Sequence, residues 1–252
     1  MFKKVMAKVG AGGGRVETTL TNSSVYPGGT VEGVIDIGGG EVSQLVEYVA
    51  ASLVARVEVE SGDSEYHQML SFHEHRLTGA FELGPGAQYQ LPLHLQIPWE
   101  TPFNVISNQE LPRCFVGVRT ELEIARSRDQ RDVDPVYVYA LPAHERLLQA
   151  FLQLGFRFKD ADFERGQVPG SMLPFYQEVE FFSSPQYAHA FNEVEVTFLT
   201  RPDAMEVILE IDKRGGFMAA STDGVTRFTF GFNQLDQFDW TTALNQYLAQ
   251  LA

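Results

Sequence analysis

The stretch Leu53-Val-Ala-Arg-Val-Glu-Val-Glu60 decides the fold. Val57 and Val59 fall on one side of an extended chain, and Arg56, Glu58 and Glu60 on the other. That period of two marks a half-buried strand with one wet face. The alternation recurs in Thr30-Val-Glu-Gly-Val-Ile-Asp-Ile37, after the turn Tyr26-Pro-Gly-Gly29. It recurs again in Glu193-Val-Glu-Val-Thr-Phe-Leu-Thr200, where Val194, Val196 and Phe198 share a face. Further strands are expected over residues 16–20, 69–81, 87–95, 113–124, 136–139, 175–182, 206–211 and 226–232. Residues 45–51 suit either a strand or a helix. Turn signals such as Ser61-Gly-Asp-Ser64, Gly84-Pro-Gly86, Pro98-Trp-Glu-Thr-Pro102 and Arg201-Pro-Asp-Ala204 stand between the strands. Short strands with frequent turns predict an all-β chain of antiparallel sandwiches, not a parallel α/β sheet.

Two helices interrupt the pattern. Residues 143–154 carry the stripe Leu147, Leu148, Phe151 and Leu152, and Gly155 is a C-terminal stop. Near the end, Trp240, Ala243, Leu244, Tyr247, Leu248 and Leu251 form an apolar stripe, so an amphipathic helix is expected over 238–251, capped by Asp239 or Asp236. Asp129-Gln-Arg-Asp-Val-Asp-Pro135 is charged and ends in proline, and reads as a loop. The boundary is therefore placed at residue 140: an N-terminal β-sandwich over 1–140, and a C-terminal one over 141–252 that opens with the helix at the junction.

Composition narrows the function. The 252 residues are 44% hydrophobic and 21% charged, which is globular usage. Nineteen Lys and Arg stand against 33 Asp and Glu, a net charge of −14. The excess is shared by both sides of residue 140. Such a chain is not steered to nucleic acid or to an anionic membrane; a basic protein partner suits it better. The single cysteine, Cys114, forms no internal disulfide and reads as a small core residue of a protein from a reducing compartment. Residues 1–10 begin with lysines but lack the apolar stretch of a signal peptide, and no run is long enough to insert in a membrane. A cytoplasmic location is expected.

Catalytic constellations are thin. Gly10-Ala-Gly-Gly-Gly14 leads into a strand and lacks the Lys-Ser/Thr of a phosphate loop, so it reads as a turn. His73-Glu-His75, with His67 nearby, is the best metal-like cluster, because residues i and i+2 of a strand share a face. It lacks the third and fourth ligands of a zinc site, and solvated or hydrogen-bonded histidines are the plainer reading. His144-Glu145 does not continue as HExxH. Asp160-Ala-Asp-Phe-Glu-Arg-Gly166 offers Asp160, Asp162 and Glu164 as calcium ligands, but its glycine is one place late and position twelve is Ser171, so it reads as a charged turn. Asp212-Lys-Arg-Gly-Gly216 reads as a tight turn at a strand end, with an anion-binding turn as the alternative. No cofactor is called for, and no catalytic residue is nominated.

With those residues in place, the chain resembles a known family. Tyr26-Pro-Gly-Gly-Thr-Val-Glu-Gly33, Leu91-Pro-Leu-His-Leu-Gln-Ile-Pro98 with Pro102, Arg119-Thr-Glu-Leu-Glu-Ile124, and the acidic Asp129, Asp132 and Asp134-Pro135 are similar to an arrestin-type N-terminal domain. Phe158-Lys-Asp-Ala-Asp-Phe-Glu164, Leu173-Pro-Phe-Tyr-Gln-Glu-Val-Glu-Phe181, Asn192-Glu-Val-Glu-Val-Thr-Phe198 and Glu210-Ile-Asp-Lys-Arg-Gly-Gly216 look like the bacterial sporulation-control SpoOM family. The resemblance implies two arrestin-like antiparallel β-sandwich domains in tandem. It also implies a non-enzymatic cytoplasmic regulator or scaffold in a developmental or stress programme, acting by protein–protein contact. The competing expectations are a metal- or small-ligand-binding sensor and a membrane-associated adaptor. Self-association and the binding surface are left open.

Overall fold

The computed structural model describes residues 13–61, 64–126, 129–213 and 225–252. Residues 10–12 of the first glycine cluster and 214–216 of the last lie outside the described residues.

The chain folds mainly into β structure. The first strands are β1 (Arg15–Asn22), β2 (Ser24–Val25), β3 (Thr30–Gly38), β4 (Gln44–Ser61), β5 (Ser64–Arg76), β6 (Phe81–Leu83) and β7 (Gln88–Gln96). After them come β8 (Val105–Ile106), β9 (Gln109–Glu110), β10 (Val116–Ile124), β11 (Gln130–Pro135) and β12 (Tyr137–Val138). Helix α1 (Pro142–Gln153) precedes β13 (Arg157–Arg165), β14 (Phe175–Phe182), β15 (Phe191–Thr200), β16 (Ala204–Lys213) and β17 (Thr226–Gly231), and α2 (Trp240–Leu251) follows.

Two layers pack the N-terminal half. One is the sheet β1-β3-β7; the other contains β11-β10-β4 with β5 and β6. The inward rows Val31, Ile35 and Ile37 of the first sheet and Val49, Leu53, Val118 and Leu122 of the second enter one buried cluster. The Tyr26–Gly29 turn connects β2 to β3. The Gly29 N–H donates to the Tyr26 carbonyl at 2.9 Å, and Gly28 has φ +80. Pro at the second turn position and glycine at the third is the type II arrangement. A Cβ on Gly28 would sit 2.4 Å from the Trp99 ring, so only glycine fits there.

Residues 45–51, which suited either element, are strand, part of the 18-residue β4. At about 3.3 Å per residue, β4 spans roughly 60 Å. Its two edges are used differently. Along one edge β5 pairs from Ala50 to Ser61. Along the other, β10 pairs up to Ala55, and then β13 takes over in parallel at Glu58↔Glu164. β10 and β13 therefore succeed one another on the same edge, and one sheet runs on through β13-β14-β15-β16-β17. The residue-140 division is crossed by this sheet and by the core, which contains Val49 and Leu53 together with Phe151, Phe163, Phe181 and Val196.

In the second half the buried face of β13–β17 is covered by the helices. Phe151 of α1 stacks on Phe181 at 4.9 Å, and Trp240 of α2 meets Phe230 edge-on at 4.5 Å. α1 begins one residue earlier than its stripe suggests, with Pro142 in the first turn, and it ends before Gly155, whose φ is +84. Asp239 caps α2 by accepting from the Thr242 N–H.

Three expectations need correction. Asp129–Pro135 is not a loop linker: residues 130–135 form the edge strand β11, paired to β10, with Pro135 at its end, where a missing N–H costs least. Asp160–Gly166 is not a charged turn: it is most of β13. The outward face of β4 is not uniformly wet, because Glu58 is 8% exposed. In each case charged residues stand on a strand whose outer face meets partners distant in sequence. Among the described residues, no helix is long and apolar enough to cross a membrane.

Candidate functional site

The outer face of β4 and β13–β17 carries the feature that stands out. Ala161 and Phe163 point inward and are buried, so Asp160, Asp162 and Glu164 point outward. The register then lines up carboxylates across strands: Glu164↔Glu58, Asp162↔Glu178, Asp160↔Glu180, Glu180↔Glu195 and Glu195↔Glu210. Like charges directly opposite repel. The face handles that repulsion in two ways.

At its β4–β13 end an arginine is inserted. Arg113 lies just before β10, where β10 gives way to β13 along β4. Its guanidinium bonds Glu58 Oε2 at 2.5 Å and Asp160 Oδ2 at 2.8 Å, and lies 3.2 Å from Asp162 Oδ2. The hydrogen bond to Asp160 does most to hold Arg113 charged. The segment is anchored from beneath. Arg56 donates to the Pro112 and Arg113 carbonyls, and the Cys114 thiol lies 3.3 Å from the Ala161 carbonyl. Burial pushes the Cys114 thiol up to about 12. As expected, it is a core residue.

Beside this cluster lies an open acidic groove of about 720 Å³, lined by Glu60, Glu164, Tyr176, Glu178 and Glu195 with Val59, Arg165 and Gly166. Arg165 is directed elsewhere, with Nη1 3.4 Å from Gln68 Oε1. Among the described residues no cation forms an ion pair with Glu164, Glu178 or Glu195; Lys159, the next cation along, holds Glu180 and Glu193 at 2.6 Å each. The consequence is electrostatic. Burial, then Glu195 and Glu164, pushes Glu178 up to about 8. Burial, then Asp162 and Glu58, raises Glu164 to about 7. Burial, then Glu210 and Glu180, raises Glu195 to about 7. Arg113 and Lys159 pull Glu164 and Glu195 the other way, but burial and the neighbouring carboxylates outweigh them, and such carboxyls hold their protons near neutrality.

The residues singled out from sequence separate. Asp162 and Glu164 do meet, with Glu58 rather than Asp160 as their third member, each offering an oxygen within 4.8 Å of the others. Two of the three already contact Arg113, so the arginine occupies the place a cation would take. His67 sits 3.7 Å from Glu58. It is about 20 Å along β5 from the other two histidines at the rise of a strand. His73 and His75 do come together, with their Nε2 atoms 3.0 Å apart. His144 is buried: the Leu141 N–H donates to Nδ1 at 3.1 Å, and Nε2 lies 2.9 Å from Thr200 Oγ1. Burial pushes it down to about 3, so it is a neutral core residue between Phe103 and Phe198.

Sequence reasoning missed Arg113, Glu178 and Glu195. The spacing of outward acids in three successive strand candidates was the available signal. Which acid faces which is set by register, and Arg113 is 55 and 47 residues from Glu58 and Asp160.

Comparison with known proteins fits this architecture. A family model described as SpoOM protein matches residues 2–215. The sporulation-control protein spo0M of Bacillus subtilis (strain 168) is 35% identical over 214 residues, covering 84% of this chain and 81% of the relative. The crystal structure of Spo0M, sporulation control protein, from Bacillus subtilis superposes with a TM-score of 0.81 at 31% identity, over 97% of this chain and 100% of that one.

Proposed function

The chain belongs to the SpoOM protein family, and from that premise we propose that it is a non-enzymatic cytoplasmic regulator that binds a basic segment of a protein partner in its acidic groove. The programme it regulates is developmental or stress-related, by analogy with the relative's sporulation-control name. The observation that carries the reading is the unneutralised set Glu164, Glu178 and Glu195, which stands next to an equally acidic cluster that does have its arginine. A lysine or arginine entering the groove supplies the missing charge, and the groove carboxyls give up their protons to receive it. Binding therefore strengthens as pH rises through about 7 to 8. The same field disfavours anionic lipid and nucleic acid.

The test is fluorescence anisotropy of a labelled Lys/Arg-rich peptide against the full chain and its E164Q/E178Q/E195Q variant. Three partly exposed charge contacts of about 0.5–1 kcal/mol each predict a Kd weaker by roughly tenfold or more in the variant. Equal affinity of the two proteins, or no difference between pH 6 and pH 8, refutes the groove as the binding surface.

A further inference from the structure

We propose that His73 and His75 form a two-nitrogen site for a divalent transition-metal ion of square-planar or octahedral preference, Ni²⁺ or Cu²⁺, on the outer edge of β5. The inference is independent of the acidic groove.

The pairing of β5 with β4 shifts register here. Phe72 faces Leu53 and His75 faces Ala51, so His73 and Glu74 together stand opposite the single residue Ser52. This is a bulge, a device that re-aims a side chain. Within it His73 adopts φ +52, the left-handed region that a residue with a Cβ rarely occupies. The outcome is specific: the two Nε2 atoms are 3.0 Å apart, and the rings lie at 72° with centroids 4.5 Å apart. Metal–nitrogen bonds of about 2.1 Å meeting at a right angle hold their nitrogens about 3.0 Å apart, so the separation is that of two neighbouring ligands of a square-planar or octahedral ion, reached by turning the rings from each other toward the ion. Between the two rings alone the 3.0 Å separation is that of one imidazole–imidazole hydrogen bond. On binding, the ring that donates shifts its proton to Nδ1.

The surroundings favour the ligating form. Burial, and then His75, pushes His73 down from its ordinary value. Arg76, the adjacent cation, is held over the Tyr48 ring at 4.0 Å. His75 is exposed and His73 half-buried, so water completes the coordination shell.

Isothermal titration of the metal-free, untagged full chain with NiCl₂ decides the matter, with H73A, H75A and H67A as comparisons. H73A and H75A are each expected to weaken Ni²⁺ binding by at least about tenfold, whereas H67A leaves it unchanged. Circular dichroism of each variant confirms that the fold survives. Cu²⁺ added to wild type is expected to give an electron paramagnetic resonance spectrum with two-nitrogen hyperfine structure, lost in H73A. The proposal is overturned if wild type binds Ni²⁺ no more tightly than an H73A/H75A double variant, or if H67A weakens binding as much as H73A.

Discussion

Glu58 and Asp162 at one end of the outer face, and Glu164, Glu178 and Glu195 beside them, are carboxylates of one sheet in neighbouring register. They differ in company. The first pair, with Asp160, shares the Arg113 guanidinium, and the side chains of Glu58 and Asp162 are each 9% exposed. The second set borders an open groove and forms no ion pair with a cation among the described residues. Both regions are acidic and both are partly desolvated, so acidity alone does not mark a binding surface. The mark is acidity the fold has left unbalanced. The balanced cluster joins β4, β13 and the segment before β10, so its role is to hold the two halves of the sheet together. The unbalanced one destabilises the isolated chain slightly and is stabilised when a cation arrives from outside.

Removing the arginine breaks the comparison most severely. Arg113→Met leaves Glu58 and Asp162 as buried, uncompensated charges. Because Arg113 is itself 40% exposed, the cost falls below that of a fully buried pair, at about 2–3 kcal/mol. Urea denaturation with the slope unchanged is the measurement. A loss under about 0.5 kcal/mol would mean that the two regions do not differ in kind.

The groove makes the opposite prediction. Its glutamates have folded-state values of about 7 to 8, above the ordinary 4.5 of the unfolded chain. Their contribution is fully present below about pH 4.5 and is lost as pH rises through 7 to 8, so between pH 5 and 8 it lowers stability. With solvent screening discounted, E164Q/E178Q/E195Q should gain on the order of 1 kcal/mol at pH 8, or about 2–4 °C in Tm, and nothing at pH 5. Thermal melts at the two pH values check the sign; a Tm that drops at pH 8 would place the groove among the structural charges.

The smallest effect is expected beneath the cluster. In Cys114→Ser the hydroxyl keeps the Ala161 carbonyl as acceptor and Gln177 Nε2, 3.5 Å away, as donor, so the cost stays under about 1 kcal/mol. The wild-type thiol, raised to about 12, should react with a thiol reagent at pH 8 only as fast as the chain opens. Arg113→Met should speed that labelling, and an unchanged rate would detach Cys114 from the clamp.

Most strands were legible because their inward rows repeat every second residue; residues 175–182 coincide with β14 at both ends. β11 and β13 were not legible, because Asp132 and Asp160 bond groups far along the chain, the Thr18 N–H and Arg113. A strand whose outer face is charged looks like a loop until its partners are known. The His73–His75 spacing was visible, but the bulge that turns the two rings together was not. It arises from the register of β4 against β5.

The long β4 has a consequence for the nascent chain. Its β5 partner follows at once, but Glu58 meets Glu164 only after about a hundred more residues have been made, roughly 5–20 s at ribosomal speed. Until then the edge from Val57 to Glu60 is a bare template for foreign strands. The charges at 56, 58 and 60 act as gatekeepers over that interval, until β13 reaches this edge.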